Sequence, residues 1–268
     1  MIDVSIVIVS YNARADLERC LASLHNPSPA ATHEIIVVDN ASTDGSPDVP
    51  RRWPAVQIIQ SPTNRGFAAA NNIGIRQSVG QTLLLLNSDT IVPAGAVDGL
   101  LTVLAQRTDV AAIGPRLVDR AGRAELSFGS MIAPLSELRQ QRLMHALERG
   151  DLAIRAEVDA RTRQEHYPDW VSGACLLVRR ADAVAVGLLD ERYFMYAEDV
   201  DFCAALRARG RRILFTPSVE VVHLRGRSAA AAPDATRAAY RRSHLAFYRK
   251  HHPALAPILR LYHWLRPL

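Results

Sequence analysis

The chain has 268 residues, 49% of them hydrophobic, and a formal net charge of +5. That apolar content suffices for a substantial core in one large domain, with at most a small appendage, and the moderate charge excludes a disordered chain. The longest uninterrupted apolar runs, "IIVV" and "LLLL", fall far short of a membrane-spanning helix.

In chain order, "VSIVIVS" (4–10) predicts a strand buried on both faces, and the acid at position 3 argues against a signal peptide. Leu17, Cys20, Leu21 and Leu24 follow at helical spacing. "EIIVVDN" (34–40) predicts a second buried strand, followed by the turn-rich "ASTDGSPD"; "AVQIIQ" (55–60) predicts a third. "GFAAANNIGIRQSV" (66–79) is helical, "TLLLLNSD" (82–89) a fourth strand, "AVDGLLTVLAQ" (96–106) a helix and "VAAIG" (110–114) strand-like. Residues 136–168 are charged and read as a helical or mobile insertion over a site. The pattern resumes with "WVSGACLLVRR" (170–180), a short helix to Val186, and the strands "RILFT" and "VEVVH". Residues 235–265 read as two helices separated by Pro253.

Alternating strands and helices with near-continuous apolar strands imply an α/β fold with a mostly parallel sheet covered on both faces. In such sheets the ligand crevice lies beyond the carboxyl ends of the strands, which here carry Tyr11 and Asn12, Asp39 and Asn40, and Asn87, Ser88 and Asp89.

Charge is unevenly placed. After Asp234 there are seven basic residues and no acid, so the preceding residues sum to −2 and the basicity belongs to the tail. No nucleic-acid-binding pattern accompanies it. The three cysteines (Cys20, Cys175 and Cys203) lack C-x-x-C spacing and sit among apolar residues, which fits buried free thiols in a reducing cytoplasm and excludes a structural zinc site.

Several polar clusters carry chemistry. Asp39 at a strand end either accepts hydrogen bonds from a ligand or caps the following turn, a role suited also to Asp44-Gly45. Asn71 and Asn72 are poor mid-helix residues, so at least one calls for a tertiary partner. Arg65 meets a phosphate or caps the sheet edge. No dinucleotide or P-loop fingerprint occurs. Asn87 and Asp89, two apart at a strand end, direct oxygen donors to one side, as Mg²⁺ or Mn²⁺ prefers; a plain turn is the alternative. His223 ends a strand, and Arg225 and Arg227 beside it would attract a diphosphate. "EDVDFCAALRARG" crowds Glu198, Asp199 and Asp201 at a helix start, with Val200, Cys203 and Leu206 as the inward stripe. Either helix capping or a functional carboxylate explains that charge.

Taken in order, "VSIVIVSYN", "EIIVVDNASTDGS", "NRGFAAANNIG", "LLLLNSD", "WVSGACLLVRR", "GLLDERYFMYAEDVDFCAALRARG" and "HLRGRS" resemble a family 2 glycosyltransferase of the GT-A fold, within it the bacterial rhamnosyltransferase-like group of cell-surface polysaccharide synthesis. The resemblance covers residues 4–228, implying a GT-A domain over 1–228 and a basic amphipathic helical tail over 229–268. It implies nucleotide contacts from Tyr11, Asp39 and Arg65. Asn87-Ser88-Asp89 stands at the family's D-x-D motif, with Asn in place of the first acid, so Asp89 must be the main ligand of Mg²⁺ or Mn²⁺ and His223 the second. It makes Asp199 the catalytic base, with Glu198 positioning the acceptor or a turn. Arg225 and Arg227 would stabilise the departing diphosphate. Gly173 and Trp170 would line the acceptor side, although Trp170 serves equally as a core residue. The implied donor is dTDP-rhamnose or a UDP-sugar, and the acceptor a glycan or lipid-linked glycan. The expected place is the cytoplasm, with the tail on the anionic inner face of the plasma membrane or simply packed on the sheet. A sugar nucleotidyltransferase is disfavoured, because "SYNARAD" stands where its Gly-rich basic loop belongs. A non-catalytic sugar-binding protein is disfavoured by the joint presence of Asp89, Asp199 and His223.

Overall fold

The computed structural model describes residues 1–224 and 233–265. Its centre is an eight-stranded sheet, entered by β1 (Val4–Ser10), α1 (Arg14–His25), β2 (His33–Asp39), a 3₁₀ turn (Ser46–Arg52) and β3 (Val56–Gln60). Then come α2 (Phe67–Gln77), β4 (Thr82–Asn87), β5 (Thr90–Ile91), α3 (Ala96–Ala105) and β6 (Val110–Val118). A two-stranded ribbon, β7 (Phe128–Gly129) with β8 (Trp170–Val171), brackets α4 (Pro134–Glu148) and α5 (Leu152–Arg161). The chain continues through β9 (Cys175–Arg179), α6 (Arg180–Ala185), α7 (Glu198–Ala208) and β10 (Arg212–His223), and ends in α8 (Pro233–His251) and α9 (Ala256–Leu265).

The strand order is β3-β2-β1-β4-β9-β6-β10-β5. β3, β2, β1 and β4 are parallel, β9 runs antiparallel to β4 and β6, and β10 is parallel to β6. The sequence suggested two strands in 212–223. The structure makes one long strand, broken in register between Thr216 and Glu220.

Alternation decides what each face buries. Ile6 and Ile8 of β1 and Leu84 and Leu86 of β4 pack on α1 and α3 through Leu17, Leu21, Leu100 and Leu104. Val7, Leu83 and Leu85 face the other way, into Ala68 and Ile75 of α2, Phe202 and Leu206 of α7 and Phe247 of α8. Each such side chain contributes about 1.5–3 kcal/mol, and polar positions open to solvent are found in β3 (Gln57, Gln60) and β10 (Ser218, Glu220). The three cysteines are free and buried.

Segment 136–168 is helical in both arms. Glu137 of α4 accepts from Tyr248 Oη and lies 2.6 Å from His244 Nε2, both on α8, while Asp159 of α5 pairs with Arg116 of β6. In α9, Ala256 is buried, whereas Ile258, Leu261, Tyr262 and Leu265 (i, i+3, i+4, i+7) and Trp264 face outward. No described helix is long and apolar enough to cross a membrane.

The entry to α2 depends on a glycine. Gly66 has φ +83°, the Phe67 amide donates to the Phe194 carbonyl at 2.7 Å, and a Cβ on Gly66 would stand 2.2 Å from that oxygen. Asn72 confirms the need for a tertiary partner: it donates to the Leu189 carbonyl and Glu191 and accepts from the Leu189 amide. α2 is therefore fastened to 189–194 at its start and at its middle. Gly66→Ala is expected to destabilise the fold by about 1–3 kcal/mol, through clash and a disfavoured φ, and to lower Tm by several degrees in thermal unfolding.

Candidate active site

Register brings the polar strand ends together. Ser10 of β1 stands opposite Asp39 of β2, and Val9 of β1 opposite Asn87 of β4. With strands about 4.8 Å apart, Asp39 and Asn87 lie roughly 10 Å from one another across the crevice. Tyr11 is exposed at the end of β1.

The loops after β1 and β2 are stitched together. Asn12, with φ 48°, accepts from the Thr43 amide and donates its own amide to Ser42 Oγ, and Asp44 accepts from the Arg14 amide. Asp44 is thus a turn cap, as expected. Asp39 is buried; its Oδ2 accepts from the Ser42 amide at 3.1 Å, and its Oδ1 has no protein partner. A buried acceptor left open at a strand end is a place for a ligand N–H or hydroxyl. Arg65 pairs with Glu191 at 3.1 Å, beside Arg76, so here its guanidinium serves a surface ion pair.

On the other side, β4 and β10 end at one point. His223 Nε2 lies 3.3 Å from Asp89 Oδ1 and 3.4 Å from Asn87 Nδ2. Its Nδ1 lies 3.1 Å from Glu125 Oε2. Burial disfavours the charged ring, but the hydrogen bonds and charges of Asp89 and Glu125 outweigh it and raise the His223 pKa to about 9. Ser88 is buried between its neighbours. Glu125 escaped sequence analysis because it is an isolated acid in a short loop, near His223 only through the fold.

This arrangement fits a divalent cation. Asp89 Oδ1 and His223 Nε2 stand at nearly the separation of adjacent ligands in an octahedral shell with bonds of about 2.1 Å. Glu125 on the far ring nitrogen supplies the carboxylate that usually orients a metal-binding histidine. Among the described residues no group of three or more His, Cys, Asp or Glu could hold a metal ion, so a cation on Asp89 and His223 would need its remaining ligands from water or phosphate.

Asp199 begins α7 beside this cluster. Its Oδ2 accepts from the Gly173 amide at 2.9 Å and its Oδ1 from the Val200 amide at 2.8 Å. The next carbonyl after Gly173, that of Ala174, accepts from the Asn87 amide at 2.9 Å. One residue pair therefore joins the Asp199 carboxylate to the strand end carrying Asn87 and Asp89. Val200, Cys203 and Leu206 form the expected inward stripe. A Cβ on Gly173 would stand 3.3 Å from the Phe67 ring and 3.4 Å from the Asp199 Cβ, a close fit that a small shift of the Phe67 ring would relieve.

Burial raises the pKa of Asp199, opposed by the amides of Gly173 and Val200. Glu198 is buried, its Oε2 has no partner, and its pKa is raised well above the ordinary range, first by burial and then by the Asp199 charge. Of the two carboxyls, Glu198 is the more strongly pushed toward its neutral form, because Asp199 alone has the Gly173 and Val200 amides to favour its charge. Trp170 is placed in the core: its Nε1 donates to the Ser130 carbonyl and its ring packs on Gly129. Arg225 and Arg227 lie outside the described residues.

With this geometry in view, comparison with known proteins is decisive at the level of family. The Glycosyl transferase family 2 model matches residues 5–158. The chain belongs to glycosyltransferase family 2. Among its relatives, the N-acetylglucosaminyl-diphospho-decaprenol L-rhamnosyltransferase of Mycobacterium tuberculosis is 32% identical over 265 residues, covering 92% of this chain and 84% of the relative. The low-salt glycan biosynthesis hexosyltransferase Agl10 of Haloferax volcanii is 26% identical, covering 82% of this chain and 67% of its own. This family 2 glycosyltransferase also superposes on the mannosyltransferase PcManGT of Pyrobaculum calidifontis, solved with GDP-Man and Mn²⁺, at TM-score 0.64 and 21% identity over 98% of this chain and 69% of that one. GalNAc-T7, solved with UDP, GalNAc and Mn²⁺, gives TM-score 0.61 at 16% identity over 83% of this chain and 44% of that one. These neighbours establish the GT-A architecture.

The raised Glu198 pKa sets the sign of a pH effect. The unfolded chain sheds this proton near 4.5 while the folded glycosyltransferase keeps it, so the group's contribution to stability falls as pH rises from about 4.5 through the raised value. Glu198→Gln, which keeps the neutral shape, should flatten that part of the curve, measured as the difference in Tm between variant and parent across pH 4 to 8.

Proposed function

We propose that this glycosyltransferase is an inverting, divalent-metal-dependent enzyme that moves a sugar from a nucleotide-diphosphate donor to a hydroxyl of a glycan or lipid-linked acceptor. The observation that carries it is the convergence of Asp89 and His223 at one point, with Asp199 joined to it through Gly173 and Ala174.

Asp39 and Tyr11 take the nucleoside, the open Oδ1 of Asp39 accepting from base or ribose. Asp89 and His223 hold the cation, with Asn87 and Ser88 beside the diphosphate. The cation, when bound, supplies positive charge against the departing diphosphate. Asp199 accepts the acceptor's hydroxyl proton as that oxygen attacks the anomeric carbon. The bond from that carbon to the diphosphate oxygen breaks, the nucleoside diphosphate leaves, and the configuration inverts. Both Asp199 oxygens keep a lone pair beyond the amide each already accepts, so the proton has a place to go. Neutral Glu198 next to it positions the acceptor, with Gly173 leaving room for close approach. Arg225 and Arg227 follow His223 by two and four residues and are assigned to the diphosphate by that proximity in sequence.

The rhamnosyltransferase relative supports rhamnose as the transferred sugar, from dTDP-rhamnose, with UDP-sugars next, and a lipid-linked acceptor. A cytoplasmic enzyme working on such an acceptor would meet it at the inner membrane face. The tail is suited to that surface, because it combines the outward stripe Ile258, Leu261, Tyr262 and Leu265, with Trp264, and the exposed cations Arg242, Arg249 and Arg260.

Asp199→Asn is expected to retain nucleotide-sugar binding, read by thermal shift with Mn²⁺, while turnover falls by about 100- to 10,000-fold. A near-parental rate would eliminate the assigned base. Removal of Mn²⁺ and Mg²⁺ with EDTA should abolish turnover, with recovery on adding either ion. In a panel of dTDP-rhamnose and UDP- and GDP-linked hexoses, the donor is the one that raises Tm.

For the tail, the protein should co-sediment with anionic vesicles at low salt and shift Trp264 fluorescence to the blue. Leu261→Asp with Trp264→Ser should release it. Absence of binding by the parent removes the membrane assignment.

A further inference from the structure

The turn that delivers Asp199 has an unfavourable backbone. Tyr196 and Ala197, immediately before α7, both adopt left-handed φ, 70° and 66°. Two consecutive non-glycine residues persist there only where their surroundings over-determine them. One element packed against this turn is α8, which lies beyond the residues the family model matches.

α8 grips the turn on both sides. Before it, the Tyr196 ring meets Tyr240 edge-on, with centroids 5.8 Å apart. After it, Asp201 on the first turn of α7 is 2% exposed and carries three polar contacts. Lys250 Nζ donates to its Oδ2 at 2.8 Å, His251 Nε2 lies 2.6 Å from its Oδ1, and Tyr193 Oη donates to Oδ1 at 3.1 Å. Lys250 also reaches Asp190 at 2.9 Å, tying in the loop ahead of the turn. A carboxylate this buried is held in place by its partners, and loss of one leaves the others poorly compensated.

Asp199 itself has little of its own to hold it. Of the two amides that donate to its carboxylate, one belongs to the next residue, so its placement against Gly173 follows from how the start of α7 is seated. We propose that α8 is the positioning element of the base. Lys250 and His251, acting through the positioning residue Asp201, seat the first turn of α7 so that the Asp199 carboxylate stays on the Gly173 amide. The proposal rests on the reading of Asp199 as the base. It assigns to the C-terminal helix a part in the reaction separate from any membrane contact, and predicts that cutting these ties impairs turnover more than donor affinity.

The test uses the full chain, with rates taken on whichever nucleotide sugar of the dTDP-, UDP- and GDP-linked panel is turned over, donor hydrolysis included. Lys250→Met and Asp201→Asn should each lower kcat by about 10- to 100-fold, with donor KM changed less than about 3-fold, since a misplacement of about 1 Å costs up to 100-fold. Lys250→Arg should recover most of the loss. Hydrogen exchange at the Gly173 amide, read by NMR, should quicken in both variants without loss of cooperative unfolding, whatever the donor. In the Asp199→Asn background, Lys250→Met should change the residual rate less than about 2-fold, because its effect runs through Asp199. Parental kcat and unchanged Gly173 exchange in Lys250→Met would overturn the proposal. So would an equal loss of rate in the Asp199→Asn background, which marks a general structural effect. A near-parental rate in Asp199→Asn alone would remove the base assignment, and Gly173 exchange would still decide whether α8 seats the turn.

Discussion

Between β8 and β9 the chain makes a short crossing, Ser172-Gly173-Ala174, and the site depends on two hydrogen bonds made there. The Gly173 amide donates to Asp199, and the Ala174 carbonyl accepts from the Asn87 amide. The first fixes a carboxylate at the start of a helix; the second extends the hydrogen bonding of β4 just far enough to set Asn87 and Asp89 at its mouth. Both bonds involve backbone groups of adjacent residues joined by one planar peptide, so few soft torsions separate the Asp199 carboxylate from the strand end carrying Asn87 and Asp89. Gly173 fits closely there, a Cβ at that position standing 3.3 Å from Phe67 and 3.4 Å from Asp199.

Around that crossing lie two acidic clusters, held in different ways. Asp89, Glu125 and His223 form a partly buried cluster in which two carboxylates flank the imidazole and raise its pKa to about 9 against the cost of burial. Asp199 and Glu198, by contrast, lie where burial disfavours charge, relieved only by two amides on Asp199. Unequal environments push the pKa values of neighbouring carboxyl groups apart, and here burial acts more strongly on Glu198 than on Asp199.

The N-terminal half is a regular parallel sheet, and the machinery at its edge is completed by irregular pieces: left-handed residues at Asn12, Ala41, Tyr196 and Ala197, and a glycine pressed on the Phe194 carbonyl. Strain gathers at the strand ends and at the start of α7, and the C-terminal helices brace the latter. α8 thereby serves two neighbours, holding α4 through Glu137 and α7 through Asp201.

What the sequence determined by itself was the sheet and the location of its mouth. Runs such as "VSIVIVS" and "LLLL" have no stable alternative to double-sided burial, and the polar residues that end them must face the crevice. The ordered motifs carried the family, and with it Asp89, His223 and Asp199 as candidates. Tertiary structure decided what linear spacing cannot encode. Glu125 reaches His223 across 98 positions and Lys250 reaches Asp201 across 49, contacts that exist only once β6, β10 and α8 are docked. It also set partners that spacing cannot show: the Trp170 ring packs on Gly129, and Arg65 pairs with Glu191, which Asn72 draws to α2. Apolar periodicity reports burial, a property each segment carries alone, whereas the partner of a polar side chain is a property of the assembled fold.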